Sequence, residues 1–524
     1  YISQVVCMPS TKLYSATAFG LEASLIEVEC DIAEGLGNFL IVGLPDTAVQ
    51  ESRERVRAAI KNSGFTFPRT RITVNLAPAD MKKQGPAYDL PIALSILAAS
   101  GQVDIHRTFF DARGNVMALC IGELSLDGSV RPVAGALLFA LLAKDMGLTT
   151  LFVPEDNAQE AALVQGLVAL PVTHLSQLVS HIDNRSFISP AIPTDPVLEA
   201  SGNGNLYDFA YIRGQEQAKR ALEITAAGGH NILLSGTPGS GKTLLARSLP
   251  SILPSLHMEE ALDVTKIASV SGTLPPRTAL VRNRPFRNPH HTASLVALVG
   301  GGSWPKPGEV SMAHRGVLFL DEFPEFARAA LEGLRQPLED GMVTVSRASG
   351  TLAFPAKFML VAAQNPCPCG YLTDPDRACV CPPHAVSNYH KKLSGPLLDR
   401  IDIFIEVPRV PVSELLDVYE GETSAAIRLR VERARSIQAD RFREYGILTN
   451  AEMSSKAVAD YCLLTPSTKS MLEHAIVHMK LSARAYFRTL KVARTIADLA
   501  ASARVLDAHV QEALQYRQRE QPIW

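Results

Sequence analysis

No stretch of this sequence stays apolar for long enough to cross a bilayer. Its longest runs, such as residues 134–143 (AGALLFALLA), reach half of the roughly 20 residues that a membrane helix needs, so no membrane contact is expected. The chain also lacks an excess of charge of either sign: 51 Lys and Arg against 53 Asp and Glu leave a net charge of −2. Any binding of nucleic acid must then come from a local basic surface, not from the molecule as a whole. Cysteine is scarce, with eight in 524 residues, and Cys7, Cys30, Cys120 and Cys462 lie scattered. This is not the spacing of a disulfide framework; it fits a reducing cytoplasm with one clustered metal site. Internal repeats and low-complexity tracts are absent, and the seven residues before Met8 (YISQVVC) lack the charged head and small-residue exit of a secretion signal. What remains, at 47% hydrophobic and 20% charged residues, is a globular chain too long for one core.

Composition divides the chain. Residues 1–18 are set aside as an N-terminal segment. Residues 19–188 alternate short β-rich runs with apolar helical stretches, for example 72–76 (ITVNL) and 90–99 (LPIALSILAA). Residues 189–206 are rich in Pro, Gly and Ser and read as a linker. From 207 to 410, buried strands spaced by helices predict a parallel sheet covered on both faces. Residues 411–524 are helical in pattern, with charged faces such as 427–438 and 483–501.

The chemistry starts at the strand 231–235 (NILLS). It runs into Gly236, Thr237, Pro238, Gly239, Ser240, Gly241, Lys242 and Thr243, then into an apolar helix from Leu244. Glycines at these positions let successive backbone N–H groups converge on phosphate oxygens at the positive end of the helix. Lys242 is expected to reach the β- and γ-phosphates of ATP and the Thr243 hydroxyl to ligate Mg²⁺. Some eighty residues on, 316–322 (GVLFLDE) is an apolar strand ending in two carboxylates. Alone, such acids could simply cap a helix. After a complete phosphate loop they read as Asp321 for the metal and Glu322 for the attacking water. Asn365 ends the next apolar strand, where an amide can position that water or merely form a turn.

Cys367, Cys369, Cys379 and Cys381 form two C-x-C pairs around the loop 370–378. Four thiolates satisfy a tetrahedral, structural Zn²⁺, with His384 as a substitute ligand. An iron–sulfur cluster uses the same ligand type, and four reduced surface cysteines are the plain alternative. A metal here would clamp the loop just after the Asn365 strand. Between Arg277 and Arg315 lie Arg277, Arg282, Arg284, Arg287, Lys306 and Arg315 with Trp304 and one acid, Glu309. That is either a solvated insertion or a loop suited to phosphate contacts and base stacking. His290 and His291 in the same stretch read as packing or hydrogen-bonding groups rather than metal ligands.

These strings, with VGLPD at 42–46, NLAPAD at 75–80, NPHHT at 288–292, NPCPCG at 365–370 and SGPLLDRID at 394–402, resemble the AAA+ ATPases. Within them the likeness is to the magnesium-chelatase-like branch and its ComM/YifB family, ring-shaped helicases of natural transformation. The resemblance covers nearly the whole chain after Ala18. It implies an α/β fold class: an N-terminal Lon-protease-like α+β domain, an AAA+ P-loop domain with pore insertions, and a C-terminal helical lid. It makes Asn365 the sensor-1 residue, Arg400 an arginine finger supplied to the neighbouring subunit, and Arg484 (in SARA, 482–485) the sensor-2 arginine that reaches nucleotide from the helical lid. It also turns the stretch before the GVLFLDE strand and a hairpin at 341–354 towards a ring pore, with Lys306 and Arg347 as DNA contacts.

In the Lon-like domain the strongest local match is 122–133 (GELSLDGSVRPV). The nucleophile's place after Gly85 and Pro86 is taken by Ala87, and that of the activating lysine by Leu137, so a Ser–Lys dyad cannot operate. Lys82 and Lys83 stand nearby, out of pattern. The function expected is that of an ATP-driven homo-hexameric helicase promoting branch migration of transforming DNA, on single-stranded, forked or three-stranded joints and alongside recombination proteins. A chelatase-type motor remodelling a protein partner is the alternative, disfavoured by the Lon-like domain and the cysteine cluster.

Overall fold

A computed structural model describes residues 11–193, 207–302, 305–347, 350–411, 421–479 and 481–517. The chain divides into two compact units, Tyr1–Ala200 with Met258–Arg282, and Ser201–His257 with Asn283–Trp524.

In the first unit, Glu22–Ala33 pairs antiparallel with Thr11–Phe19 on one side and Arg71–Ala77 on the other; Asn38–Val42 adds a parallel edge. The period of two is plain in Glu22–Ala33: Ile26, Val28 and Cys30 are buried, while Glu27 and Glu29 face outward to Lys12 at 3.3 and 2.8 Å. The domain therefore begins before residue 19, because Leu13 and Ala16 of Thr11–Phe19 are fully buried core residues. A second, parallel sheet of Ala118–Cys120, Thr150–Pro154 and Val168–Val172 completes the unit.

The helix Asp89–Ala99 is apolar all round and buried throughout nearly all its length. Asp89 at its start is buried with it. Arg55 Nε donates to its carboxylate at 2.7 Å, and the Ser52 hydroxyl and the Leu124 N–H donate too. This charge is tolerated in the core because it is paired and hydrogen-bonded. Ala87 packs against the apolar cluster that contains Leu137.

The second unit is built on five parallel strands in the order Phe286–Arg287, Val317–Leu320, Met359–Gln364, Ile232–Ser235 and Ile403–Glu406. Its three central strands are almost unbroken runs of buried apolar residues, as a sheet covered on both faces requires. Two boundaries differ from the sequence reading. Residues 258–282 pack with the first unit, since the helix Met258–Ser271 meets the helix Ala136–Asp145 and Gly135 N–H donates to Ser269 O at 3.0 Å. The C-terminal helices are also no separate body. Ile427 and Val431 of Ser424–Arg441 and Leu490 and Ile496 of Ala483–Leu499 share one core with Ile232, Leu234 and Val361 of the sheet. Amphipathic periodicity identifies each helix but not which sheet it covers. Of the expected linker, residues 194–206 lie outside the described residues.

Candidate nucleotide site

The strand Ile232–Ser235 ends at a loop that turns through Gly239 (φ 79°) and Gly241 (φ 94°) into the helix Lys242–Ile252. Nothing lies within 4 Å of where a Cβ would stand on either glycine. The Thr237 and Ser240 hydroxyl oxygens are buried without a hydrogen-bond partner among the described residues. Left-handed backbone, open space and orphaned buried hydroxyls together fit a phosphate chain.

Lys242 Nζ donates to Gly236 O at 2.7 Å, Thr237 O at 2.9 Å and Asn365 Oδ1 at 3.2 Å. Burial pulls its ammonium down to about 8, against the opposing pull of the Asp321 carboxylate. The Thr243 hydroxyl donates to Asp321 Oδ2 at 2.8 Å, bringing together two oxygens of the hard type that Mg²⁺ takes. Lys242, Thr243, Asp321 and Asn365, far apart in the chain, therefore meet where three neighbouring parallel strands end.

Glu322 sits beyond the strand end with φ 52°, a left-handed conformation that non-glycine residues seldom adopt. Its N–H donates to Asp321 Oδ1 at 3.0 Å, and its carboxylate lies 3.1 Å from His291 Nδ1. The His291 and His290 rings are tilted by 33°, with centroids 4.2 Å apart. Sequence reading had assigned neither ring to the site; the only clue was their place just past the strand next to GVLFLDE.

Arg400 and Arg484 are brought together, though at another place. Arg400 is 5% exposed and contacts the Glu339 carboxylate through Nη2, while Arg484 Nη2 lies 3.6 Å from Glu339 Oε1. With Arg488 and Lys491 they line a cavity of about 280 Å³ whose wall includes no residue of the phosphate loop. Arg488 anchors the pair from behind. It donates to Arg400 O at 3.1 Å and contacts Asp402, whose carboxyl burial would push up but Arg488 and His230 hold well below the usual range. Neither Glu339 nor Arg488 carries a sequence signal.

The four cysteines also converge. All four sulfurs lie within 4.8 Å of one another, with Cys367 Sγ 3.3 Å from Cys369 Sγ and 3.6 Å from Cys379 Sγ. The Tyr371 N–H, helped by that of Val380, draws the Cys369 thiol down to about 6, whereas burial pushes Cys367 up. Four sulfurs this close, one of them readily ionised, fit a tetrahedral soft-metal site. Gly370 (φ +87°) leans on the phosphate loop: a Cβ there would lie 2.6 Å from Pro238 Cγ.

The basic stretch is only partly available. Arg277 pairs with Glu155 at 3.0 Å and Asp156 at 3.3 Å, Arg287 with Glu309 at 2.6 Å, and Arg315 with Glu452 at 3.6 Å, while Arg284 donates to Arg315 O at 2.7 Å. Charge density alone does not distinguish solvated from paired arginines, and these four are bonded within the protein. Lys306 is exposed in the short ladder Gly300–Gly301 with Lys306–Pro307. Met342–Arg347 and Gly350–Pro355 form the expected antiparallel hairpin, paired from Met342 opposite Pro355 to Arg347 opposite Gly350. Trp304 and the Arg347 side chain lie outside the described residues.

Known proteins resemble this chain over nearly its whole length. A model of the magnesium chelatase subunit ChlI matches residues 208–415, one of subunit ChlI of Mg-chelatase matches 28–157, and one of the ChlI C-terminal region matches 421–517. The uncharacterized protein YifB of Escherichia coli K12 is 43% identical over 506 residues, 96% of either chain. The competence protein ComM of Haemophilus influenzae Rd is 42% identical over 519 residues, covering 96% of this chain and 97% of ComM. The magnesium-chelatase 38 kDa subunit of Cereibacter sphaeroides is 30% identical over 242 residues, 42% of this chain and 66% of that subunit.

Proposed function

This chain belongs to the YifB/ComM family of magnesium-chelatase-like AAA+ proteins, and on that premise we propose that it is an ATPase whose active site is divided between neighbouring subunits of a ring that moves DNA. The separation of parts carries this reading. The phosphate loop, Asp321, Glu322 and Asn365 form one cluster, whereas Arg400 and Arg484 face a different cavity. Two arginines with no phosphate loop at their own cavity suit the nucleotide of an adjoining copy, most simply in a homo-hexamer.

In this reading, Lys242 exchanges its loop carbonyls for phosphate oxygens, and the backbone N–H groups of residues 236–243 hold the phosphate chain. Mg²⁺, when bound by Thr243 and Asp321, supplies charge that offsets the phosphate oxygens. Glu322 accepts the proton of the attacking water, and Asn365 orients that water from beside Lys242. Arg400 and Arg484 of the neighbour balance the charge that develops on the transferred phosphoryl group.

DNA enters the proposal through the name of ComM and through the hairpin Met342–Arg347 and the exposed Lys306. The corresponding test is ATP turnover with and without single-stranded or forked DNA. Turnover should rise on adding DNA, and the stimulation should fall steeply with salt as counter-ions compete for the phosphate contacts. Indifference to every DNA offered would favour a motor that remodels a protein partner. Branch migration during integration of transforming DNA is the specific task this reading assigns.

Zn²⁺ held by Cys367, Cys369, Cys379 and Cys381 has no open position and would act as a clamp. Because Gly370 rests on Pro238, loss of the clamp should loosen the phosphate loop. A Cys369→Ser/Cys379→Ser protein should lose its zinc and bind ATP more weakly, as read from metal analysis and nucleotide titration. Unchanged metal content would remove the cysteines from this role.

A further inference from the structure

Glu339 has no part in the mechanism above, yet it touches both arginines that the mechanism needs. Its Oε2 contacts Arg400 Nη2, and its Oε1 lies 3.6 Å from Arg484 Nη2. The Arg400 guanidinium is otherwise sparsely bound: Nη1 donates to Pro396 O at 2.6 Å, and Nε is buried without a partner among the described residues. Around them stand Arg488, paired with Asp402, and Lys491, and Glu339 is the one acid among the described residues of the wall. A carboxylate shared between two guanidinium groups presents the same kind of oxygens, at the same donors, as a phosphoryl group.

Glu339 also has a distinctive position in the chain. It belongs to the helix Arg335–Asp340, which ends at Gly341 (φ 66°), and the hairpin strand Met342–Arg347 follows at once. The hairpin strand thus begins three residues after Glu339. The Glu339 side chain is 53% exposed, so nothing in its burial prevents it from turning away.

We propose that Glu339 is an internal counter-ion that occupies Arg400 and Arg484 in place of a neighbour's triphosphate, and that engagement of the hairpin by DNA draws it aside. Glu339 is thus a positioning residue: it acts through the two arginines and touches no reacting atom. The inference rests on the assignment of those arginines to the adjoining subunit's nucleotide. Removing the negative charge raises the positive potential that an incoming phosphate meets, so the resting enzyme speeds up while the DNA-activated enzyme changes little.

The test uses the full-length protein and measures ATP turnover with no DNA and with saturating forked DNA. Glu339→Gln keeps the shape and loses the charge. It should raise DNA-free turnover about fivefold, the order expected from releasing two ion pairs whose shared carboxylate is half exposed, and so reduce the stimulation by DNA in the same ratio. Glu339→Asp keeps the charge and should stay nearer the native resting rate. In Glu339→Gln/Arg400→Ala/Arg484→Ala the gain should vanish, because the counter-ion acts only through the two arginines; a gain that persists there, relative to Arg400→Ala/Arg484→Ala, overturns the proposal. A Glu339→Gln resting rate equal to or below the native one also overturns it. An Arg400→Ala protein of native activity would instead overturn the divided site itself, so the two failures are told apart.

Discussion

Arg400→Ala should leave ATP binding almost intact and slow hydrolysis by about 10³-fold, the lower end of what an arginine supplied to the γ-phosphate contributes in related NTPases. Binding survives because the phosphate loop, Thr243 and Asp321 belong to the other cluster and make no contact with Arg400 among the described residues. A slow enzyme alone would not show that the arginine acts on a neighbour, since Arg400 is buried and its loss disturbs its own surroundings. Mixing resolves this. Lys242→Ala lacks a working phosphate loop but keeps Arg400, and Arg400→Ala has the reverse defect. Where an Arg400→Ala subunit binds ATP beside the Arg400 of a Lys242→Ala subunit, one complete site forms. Two inactive proteins should therefore regain measurable turnover when mixed and reassembled. If mixing restores nothing while both variants still assemble, Arg400 does not serve the neighbour's nucleotide.

Glu322→Gln should trap ATP unhydrolysed, with turnover reduced by about 10²–10⁴-fold, the range a positioned general base provides. The amide keeps the shape of the side chain but cannot take the proton of the attacking water. Asp321, which holds the Thr243 hydroxyl at 2.8 Å, is untouched, so the nucleotide and its metal remain bound. The substitution should also be mild for the fold. Glu322 is half exposed, and the left-handed backbone at φ 52° imposes a similar strain on glutamine as on glutamate. Equilibrium binding of ATP together with steady-state turnover separates the two properties, and a protein that turns over ATP at the native rate would take Glu322 out of its role.

The two clusters differ in how readily the sequence discloses them. Residues 236–243 could be read because each position answers a local demand: glycines for left-handed turns, then a lysine and a hydroxyl at a helix start. Asp321 and Glu322 follow a strand whose four apolar residues announce burial on both faces. The cysteines declare themselves by their own chemistry. Their meeting point was also predictable, since parallel strands in one sheet end on the same side.

Elsewhere local signals gave less. Residues 11–18 fall in the N-terminal segment by composition, although the buried Leu13 and Ala16 make them part of the first sheet. The arginines between 277 and 315 read either as a solvated insertion or as a phosphate-contacting loop, and in the structure Arg277, Arg287 and Arg315 are paired with Glu155, Glu309 and Glu452. An ion pair between residues far apart in the chain has no period and no spacing, so composition cannot announce it.

By itself the sequence determined the glycine-rich turn at 236–243, the acids at the strand end, the cysteine set and the helices, because each depends on neighbours within a few residues. Only the tertiary structure decided that Arg400 and Arg484 share Glu339, that His291 meets Glu322, and that Gly370 rests on Pro238. Those contacts join side chains dozens of residues apart, and it is the packing of helices on a sheet that sets which distant residues come within a few ångströms.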